Sequence, residues 1–194
     1  MADVAAWLVR RRARLADLSA KARRATAEAL VRRRVALGFA AAAIALVLAH
    51  PTWVTWRAGL LVALAGEGVR IWAAGHLEKS REVTRSGPYR WTHHPLYAGS
   101  TLMAIGIVIA SRSAVVAVVA AVYIGLTIPA AIRAEEAFLR RTFGDTYERY
   151  RRSGADPVAR RFSLERAMRN REYRAVAGLI GGFALLALKV LLSL

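Results

Sequence analysis

Cysteine is absent from this 194-residue chain, and acidic residues are scarce: 13 Asp and Glu stand against 30 Lys and Arg, for a formal net charge of +17. Without cysteine there is no disulfide framework, no thiolate metal site and no cysteine nucleophile. Internal repeats and low-complexity linkers are lacking too, so nothing argues for more than one folded domain of ordinary size. What is abundant is apolar surface, 56% of residues, with a mean hydropathy of +0.31. A disordered basic tail would be far less hydrophobic, and a soluble basic domain seldom combines this charge with this apolarity. Membrane helices joined by arginine-rich connections satisfy both.

Apolar runs occur at 35–49, 58–77, 96–110, 113–131 and 174–194. About 20 helical residues cross a bilayer, so the first and third runs are short and borrow flanking residues. The expected fold is all-α, a bundle of about five transmembrane helices with amphipathic segments on one side. Residues 50–53 and 111–113 read as hairpin turns, and Pro129 as a tolerated kink in the fourth run. Basic residues set the orientation. Residues 1–34, 77–95 and 133–173 hold 25 of the 30 Lys and Arg, whereas the opposite connections carry only Arg57 and Arg112. By the positive-inside rule the three basic segments face the cytoplasm.

The chain divides into a basic amphipathic segment, 1–34, and a membrane domain, 35–194. In the former, Val4, Leu8, Leu15, Leu18, Ala22, Ala25 and Ala29 recur at helical spacing among arginines, with Trp7 beside them. That pattern suits a helix lying on anionic lipid. It is too long and too charged for the start of a cleavable signal peptide, and the N-terminus is expected to stay on the protein. No base-reading module accompanies the charge, so nucleic acid is not an expected partner. Residues 156–173 are similarly basic and are expected along the same surface.

Three places concentrate polar groups. Within the second run, Gly66-Glu67-Gly68-Val69-Arg70 puts two ionisable groups inside the bilayer, where each costs several kcal/mol unless paired. Glu67 and Arg70 are three apart on one helix face and are able to pair. Either they form an internal ion pair with glycines at a helix contact, or they wall a cavity. The triplet is not a dinucleotide fingerprint, since the third glycine and the preceding strand are missing. The second place is SGPYRWTHHPLYAG, 86–99. Pro95 keeps His94 out of the α region and starts the third run, but a helix-entry turn does not account for two histidines. Zinc is a weak reading, because no carboxylate at ligand spacing accompanies His93 and His94. The third is Arg133-Ala134-Glu135-Glu136, where the fourth run emerges on the same side as that loop. Adjacent glutamates diverge by about 100° on a helix, so one at most is expected to face a given ligand. Beyond them Phe138, Leu139, Phe143, Tyr147 and Tyr150 form a stripe broken at Gly144, expected to dock on the bundle or the bilayer.

In order and helical context, Gly87-Pro88-Tyr89, His94-Pro95-Leu96-Tyr97-Ala98-Gly99, Glu135-Glu136 and Phe143-Gly144-Asp145 with Tyr147 and Tyr150 resemble the integral-membrane methyltransferases. These are the isoprenylcysteine carboxyl methyltransferases and phospholipid N-methyltransferases. The resemblance covers about residues 60–152, and Gly66-Glu67-Gly68 looks like the GxG element of the phospholipid branch. It implies S-adenosylmethionine as cofactor, with Tyr89, His94, Tyr97, Gly99, Glu135, Glu136, Gly66 and Gly68 as the carried-over cofactor positions. His94 and Tyr97 would enclose the cofactor, Gly99 would permit close approach, and one glutamate, Glu136 foremost, would bind a hydroxyl or amino group. His93 stands where the family usually has arginine, and a longer 153–162 segment replaces its usual ending.

Methyl transfer from a sulfonium needs an aligned nucleophile more than an acid–base array. The implied acceptor is lipophilic, a carboxylate, amine or thiol reached from the bilayer. Glu67, Glu136 or His94 would serve an amine as base, and Arg70 or Arg133 would orient a carboxylate. The rival readings are an NADPH-dependent sterol-type reductase, which shares a similar His-Pro pattern, and a non-enzymatic lipid-associated scaffold. The localisation expected is a bacterial inner membrane, and no particular oligomeric state is implied.

Overall fold

The computed structural model describes residues 18, 28–30, 32, 33, 35–153 and 158–192. The basic stripe and Trp7 read in segment 1–34 lie almost wholly outside the described residues. Among these the chain is all-helical, with no strand. Five longer helices, α1 (Val35–Leu48), α2 (Trp53–Ala74), α3 (Pro95–Ser111), α4 (Ala114–Ser153) and α6 (Tyr173–Leu191), are joined by a short α5 (Leu164–Arg169) and a 3₁₀ turn, Gly87–Arg90. Helices α4 and α6 are long and apolar enough to cross a bilayer, and α1 and α3 are shorter apolar helices. Large apolar side chains such as Phe39, Val54, Leu61, Val118 and Ile180 are exposed on the outer faces, as lipid-facing surfaces are.

Helix α2 starts five residues before its apolar run because Thr52 and Thr55 form a reciprocal capping box, which satisfies two of the donors left open at a helix start. It packs antiparallel to α3 along small residues. A Cβ added to Gly59 would lie 2.3 Å from the Gly106 carbonyl oxygen, and one on Gly66 would lie 2.7 Å from the Gly99 carbonyl oxygen. Such spacing lets two backbones touch where lipid offers no hydrophobic drive for association. Across this pair lies α6, whose Leu179, Phe183 and Leu186 join Ala49, Ala63 and Ala110 in one core cluster. Trp56 donates its indole N–H to the Phe183 carbonyl at 2.9 Å.

The hairpin ends are fixed by polar contacts. His50 donates its backbone N–H to the Ser111 carbonyl at 2.8 Å, and Arg112 ends α3 in the left-handed conformation. The Lys189 ammonium, carried by α6, donates to the carbonyls of Leu46, Val47 and Ala49 at 3.0, 2.8 and 2.7 Å, so a cation from another helix closes the C-terminus of α1.

Helix α4 runs 40 residues through Pro129 and departs from helical geometry only at Gly144, with φ 44° and ψ −121°. The aromatic stripe beyond Glu136 docks as expected, and its partner is the 75–94 connection. Tyr147 and Tyr150 are buried with Val83, flanked by Leu139 and Phe143. The Tyr150 hydroxyl donates to the Tyr89 carbonyl at 2.9 Å.

Candidate functional site

The 75–94 connection holds its shape through backbone requirements and buried polar pairs. Gly87 has φ +56°, and a Cβ there would strike the His76 ring at 2.5 Å. His76 and Ser86 are both buried and share a hydrogen bond between Nδ1 and Oγ at 3.1 Å. Burial, reinforced by Arg166 and Arg160, holds the His76 pKa below the ordinary imidazole range, as desolvation and like charge both do. The loop ends at His94, whose φ of −135° is the non-helical geometry that Pro95 imposes on its predecessor.

Between this loop, α3, α4 and the chain just after α5 lies a cavity of about 660 Å³. Its polar wall includes Arg70, Tyr89, His94, Tyr97, Glu135 and Glu172, and Ala104, Ile124 and Ile128 supply an apolar wall. His94 is gripped from both sides. Its Nδ1 lies 3.7 Å from Glu135 Oε2 and its Nε2 lies 3.6 Å from Glu136 Oε1. Those are ion-pair distances beyond hydrogen-bond length, and both ring nitrogens are buried without a hydrogen-bond partner. Burial alone would depress the His94 pKa, but the two carboxylates outweigh it and the net direction is upward. Burial, aided by Glu135, drives the Tyr89 hydroxyl pKa upward, and burial beside Tyr147 raises that of Tyr150 to about 12. Both phenols therefore stay neutral. His93 stacks edge-on against Tyr150, with ring centroids 4.8 Å apart.

The two glutamates divide between two tasks, and His94 meets both. An imidazole offers a nitrogen on each side, so adjacent glutamates that diverge on their helix both reach the one ring. Glu135 borders the cavity, whereas Glu136 also pairs with Arg140 at 3.3 Å.

Arg70 and Glu67 approach to 3.6 Å, but the stronger partner of Arg70 is Glu172, whose Oε1 accepts from Nε at 2.7 Å. Arg70 Nη1 also donates to Ser100 Oγ. Sequence reasoning missed Glu172, which lies 102 positions away in a stretch read only as basic. No local signal marked it, since Asp156 and Glu165 stand in the same basic stretch. The remaining predicted positions lie off the cavity wall. Gly66 and Gly99 face each other across the α2–α3 seam. Gly68 meets nothing within 4 Å, and Arg133 is exposed.

The arrangement defines a helical membrane protein with a half-open cavity lined by both polar and apolar side chains. Residues 34–146 match the phospholipid methyltransferase family, and the chain belongs to that family. Two curated relatives are metal-resistance proteins. The nickel-cobalt-cadmium resistance protein NccN of Alcaligenes xylosoxydans xylosoxydans is 32% identical over 58% of this chain and 57% of its own length. The cobalt-zinc-cadmium resistance protein CzcN of Cupriavidus metallidurans is 34% identical over 57% of this chain and 55% of its own. The matched stretch thus spans little more than half of either relative. No solved structure matches the chain.

Proposed function

We propose that this chain is an integral-membrane methyltransferase that moves a methyl group from S-adenosylmethionine to a lipophilic carboxylate, amine or thiol. One observation carries the reading: a single cavity joins the His94–Glu135 polar cluster to the apolar wall of Ala104, Ile124 and Ile128. A polar cofactor and an apolar acceptor need that combination in one space. The residues fit the cofactor's chemistry. His94 brings two buried ring nitrogens without a hydrogen-bond partner, Glu135 a carboxylate able to accept from hydroxyl or amino groups, and Tyr89, Tyr97 and Tyr150 aromatic faces. When bound, S-adenosylmethionine supplies a methyl group already activated by sulfonium charge.

The protein's own share is alignment and exclusion of water. Glu135 and Glu136 fix the His94 ring, Tyr150 ties α4 to the loop through the Tyr89 carbonyl, and the apolar wall seats the acceptor. Arg70 on the wall suits orientation of an acidic group better than exposed Arg133. In this reading five helices cross a bacterial inner membrane with this end at the cytoplasmic surface against anionic lipid, which the excess of Lys and Arg in the basic segments supports. Among the described residues no three His, Cys, Asp or Glu side chains gather at metal-ligand spacing.

The test is binding of tritiated S-adenosylmethionine and of NADPH to the purified full chain, His94→Ala and Glu135→Gln. Selective binding of S-adenosylmethionine, weakened about tenfold or more in each variant, is expected, since hydrogen bonds to charged groups are worth about 1.5–3 kcal/mol. Binding of NADPH instead would make the chain a reductase. Binding of neither by folded protein would leave a scaffold.

A further inference from the structure

Arg70 is bracketed by two carboxylates, and one of them arrives from a segment outside the family match. Residues 158–172 cross the end of α2 and are tied down at every step. Arg160 pairs with Glu82 at 2.6 Å and Arg166 with Glu78 at 2.7 Å. The Ser163 backbone N–H reaches the Gly75 carbonyl at 3.2 Å, and Asn170 Nδ2 donates to the Ala74 and Leu77 carbonyls, both at 2.9 Å. Phe162 lies against Gly75 so closely that a Cβ there would sit 2.2 Å from its ring. These contacts supply donors to carbonyls that the end of α2 leaves open. They also deliver Glu172, itself buried, to Arg70.

The consequence is a guanidinium held in one orientation on the cavity wall. Glu172 takes Nε and Ser100 takes Nη1, so neither occupies Nη2. Glu67 stays at 3.6 Å, and its two buried oxygens accept no hydrogen bond. Among the described residues the cavity is lined by two Lys or Arg side chains, and the other, Lys79, is exposed. A guanidinium donates only, and its fork matches a carboxylate or phosphate oxygen.

We propose that Glu172 is a positioning residue that fixes Arg70 to receive an oxyanion of a cavity ligand. The oxyanion comes either from the carboxylate of the methyl donor or from a lipid acid group. The inference rests on the methyltransferase reading and assigns the 158–172 strap a part in the site.

The experiment compares tritiated S-adenosylmethionine, its decarboxylated counterpart and a fluorescent phosphatidic acid. Each is bound to the full chain in zwitterionic nanodiscs, with thermal unfolding of the same samples. The variants are Arg70→Lys, Glu172→Ala and Glu172→Gln. Glu172→Ala and Arg70→Lys are expected to weaken one carboxylate- or phosphate-bearing probe about tenfold or more, the range of a charge-assisted hydrogen bond. The decarboxylated probe is unchanged. Glu172→Gln, which keeps the acceptor for Nε, restores most of the affinity. Loss confined to S-adenosylmethionine assigns the oxyanion to the methyl donor, and loss confined to phosphatidic acid assigns it to the lipid. Equal weakening of all three probes in step with lowered thermal stability, or no weakening, overturns the proposal. Wild type that binds no methyl donor overturns the functional reading and this inference with it.

Discussion

Gly66 and Gly68 stand two apart in one triplet, and the structure gives them opposite surroundings. Replacing Gly66 with Ala brings a Cβ to 2.7 Å from both the Gly99 carbonyl oxygen and the Met103 backbone nitrogen, and to 2.9 Å from Leu102 Cβ, where ordinary contact begins at 3.4 Å. All three atoms belong to α3, and two of them are backbone, so no side chain is able to swing aside. The helices must part by about 0.7 Å along the seam. Forcing an extra carbon into a packed interface costs about 1–3 kcal/mol. Both Gly→Ala changes gain up to about 1 kcal/mol of helix propensity, so their difference isolates the steric cost. Gly66→Ala is expected to lie about 1–3 kcal/mol below Gly68→Ala in denaturant titrations of the detergent-solubilised protein, with Gly68→Ala at or slightly above wild type. Because α3 begins at Pro95 and carries Ser100, Gly66→Ala is also expected to weaken binding of the proposed cofactor, S-adenosylmethionine. Equal stabilities within about 0.5 kcal/mol would refute the close seam.

His76 and His94 predict pH effects of opposite sign. His94 has a raised folded pKa, so its contribution is full below about 6.5 and is lost as pH rises through the folded value. His76 has a lowered one, so its contribution is present above about 6.5 and is lost as pH falls. Thermal unfolding between about pH 5 and 9 checks this: His94→Gln flattens the alkaline decline and His76→Gln the acid one. Lys189→Met leaves the carbonyls of Leu46, Val47 and Ala49, at and just past the end of α1, without their cation, and a loss of about 2 kcal/mol in denaturant titration is expected. Gly144→Ala meets no neighbour but inherits a φ of 44° with ψ −121°. It is expected to cost about 1–3 kcal/mol of backbone strain and to loosen Tyr147 and Tyr150, read as faster amide exchange around Val83.

Local signals in the sequence anticipated much of this architecture. The apolar runs placed the helices, Pro95 placed the start of α3 and the geometry of His94, and Gly144 marked where α4 departs from its helix. These features are written within a few residues of themselves. The start of α2 was misjudged because Thr52 and Thr55 extend the helix through polar residues that no hydropathy run includes. The Gly66–Gly68 triplet was read as one element, but a helix turns about 200° over two residues and points them apart. Glu172 and Lys189 were not legible at all. Their partners lie more than 100 positions away, and only the folded bundle brings them together.

The part of α4 ahead of its break at Gly144 is 30 residues long and spans about 45 Å, and the hydrocarbon core of a bilayer about 30 Å. One rod therefore carries both the lipid-facing surface of α4 and, about 30 Å from its start, the carboxylate of Glu135. Bilayers thinner or thicker than the apolar stretch are accommodated by tilt. Over an arm of about 30 Å, a tilt of about 5° carries the far end about 2.6 Å. That is comparable to the whole separation between Glu135 and His94. The thickness of the surrounding membrane is then expected to act as a coordinate of the proposed site, with acyl-chain length changing ligand affinity without any change in a ligand-binding residue.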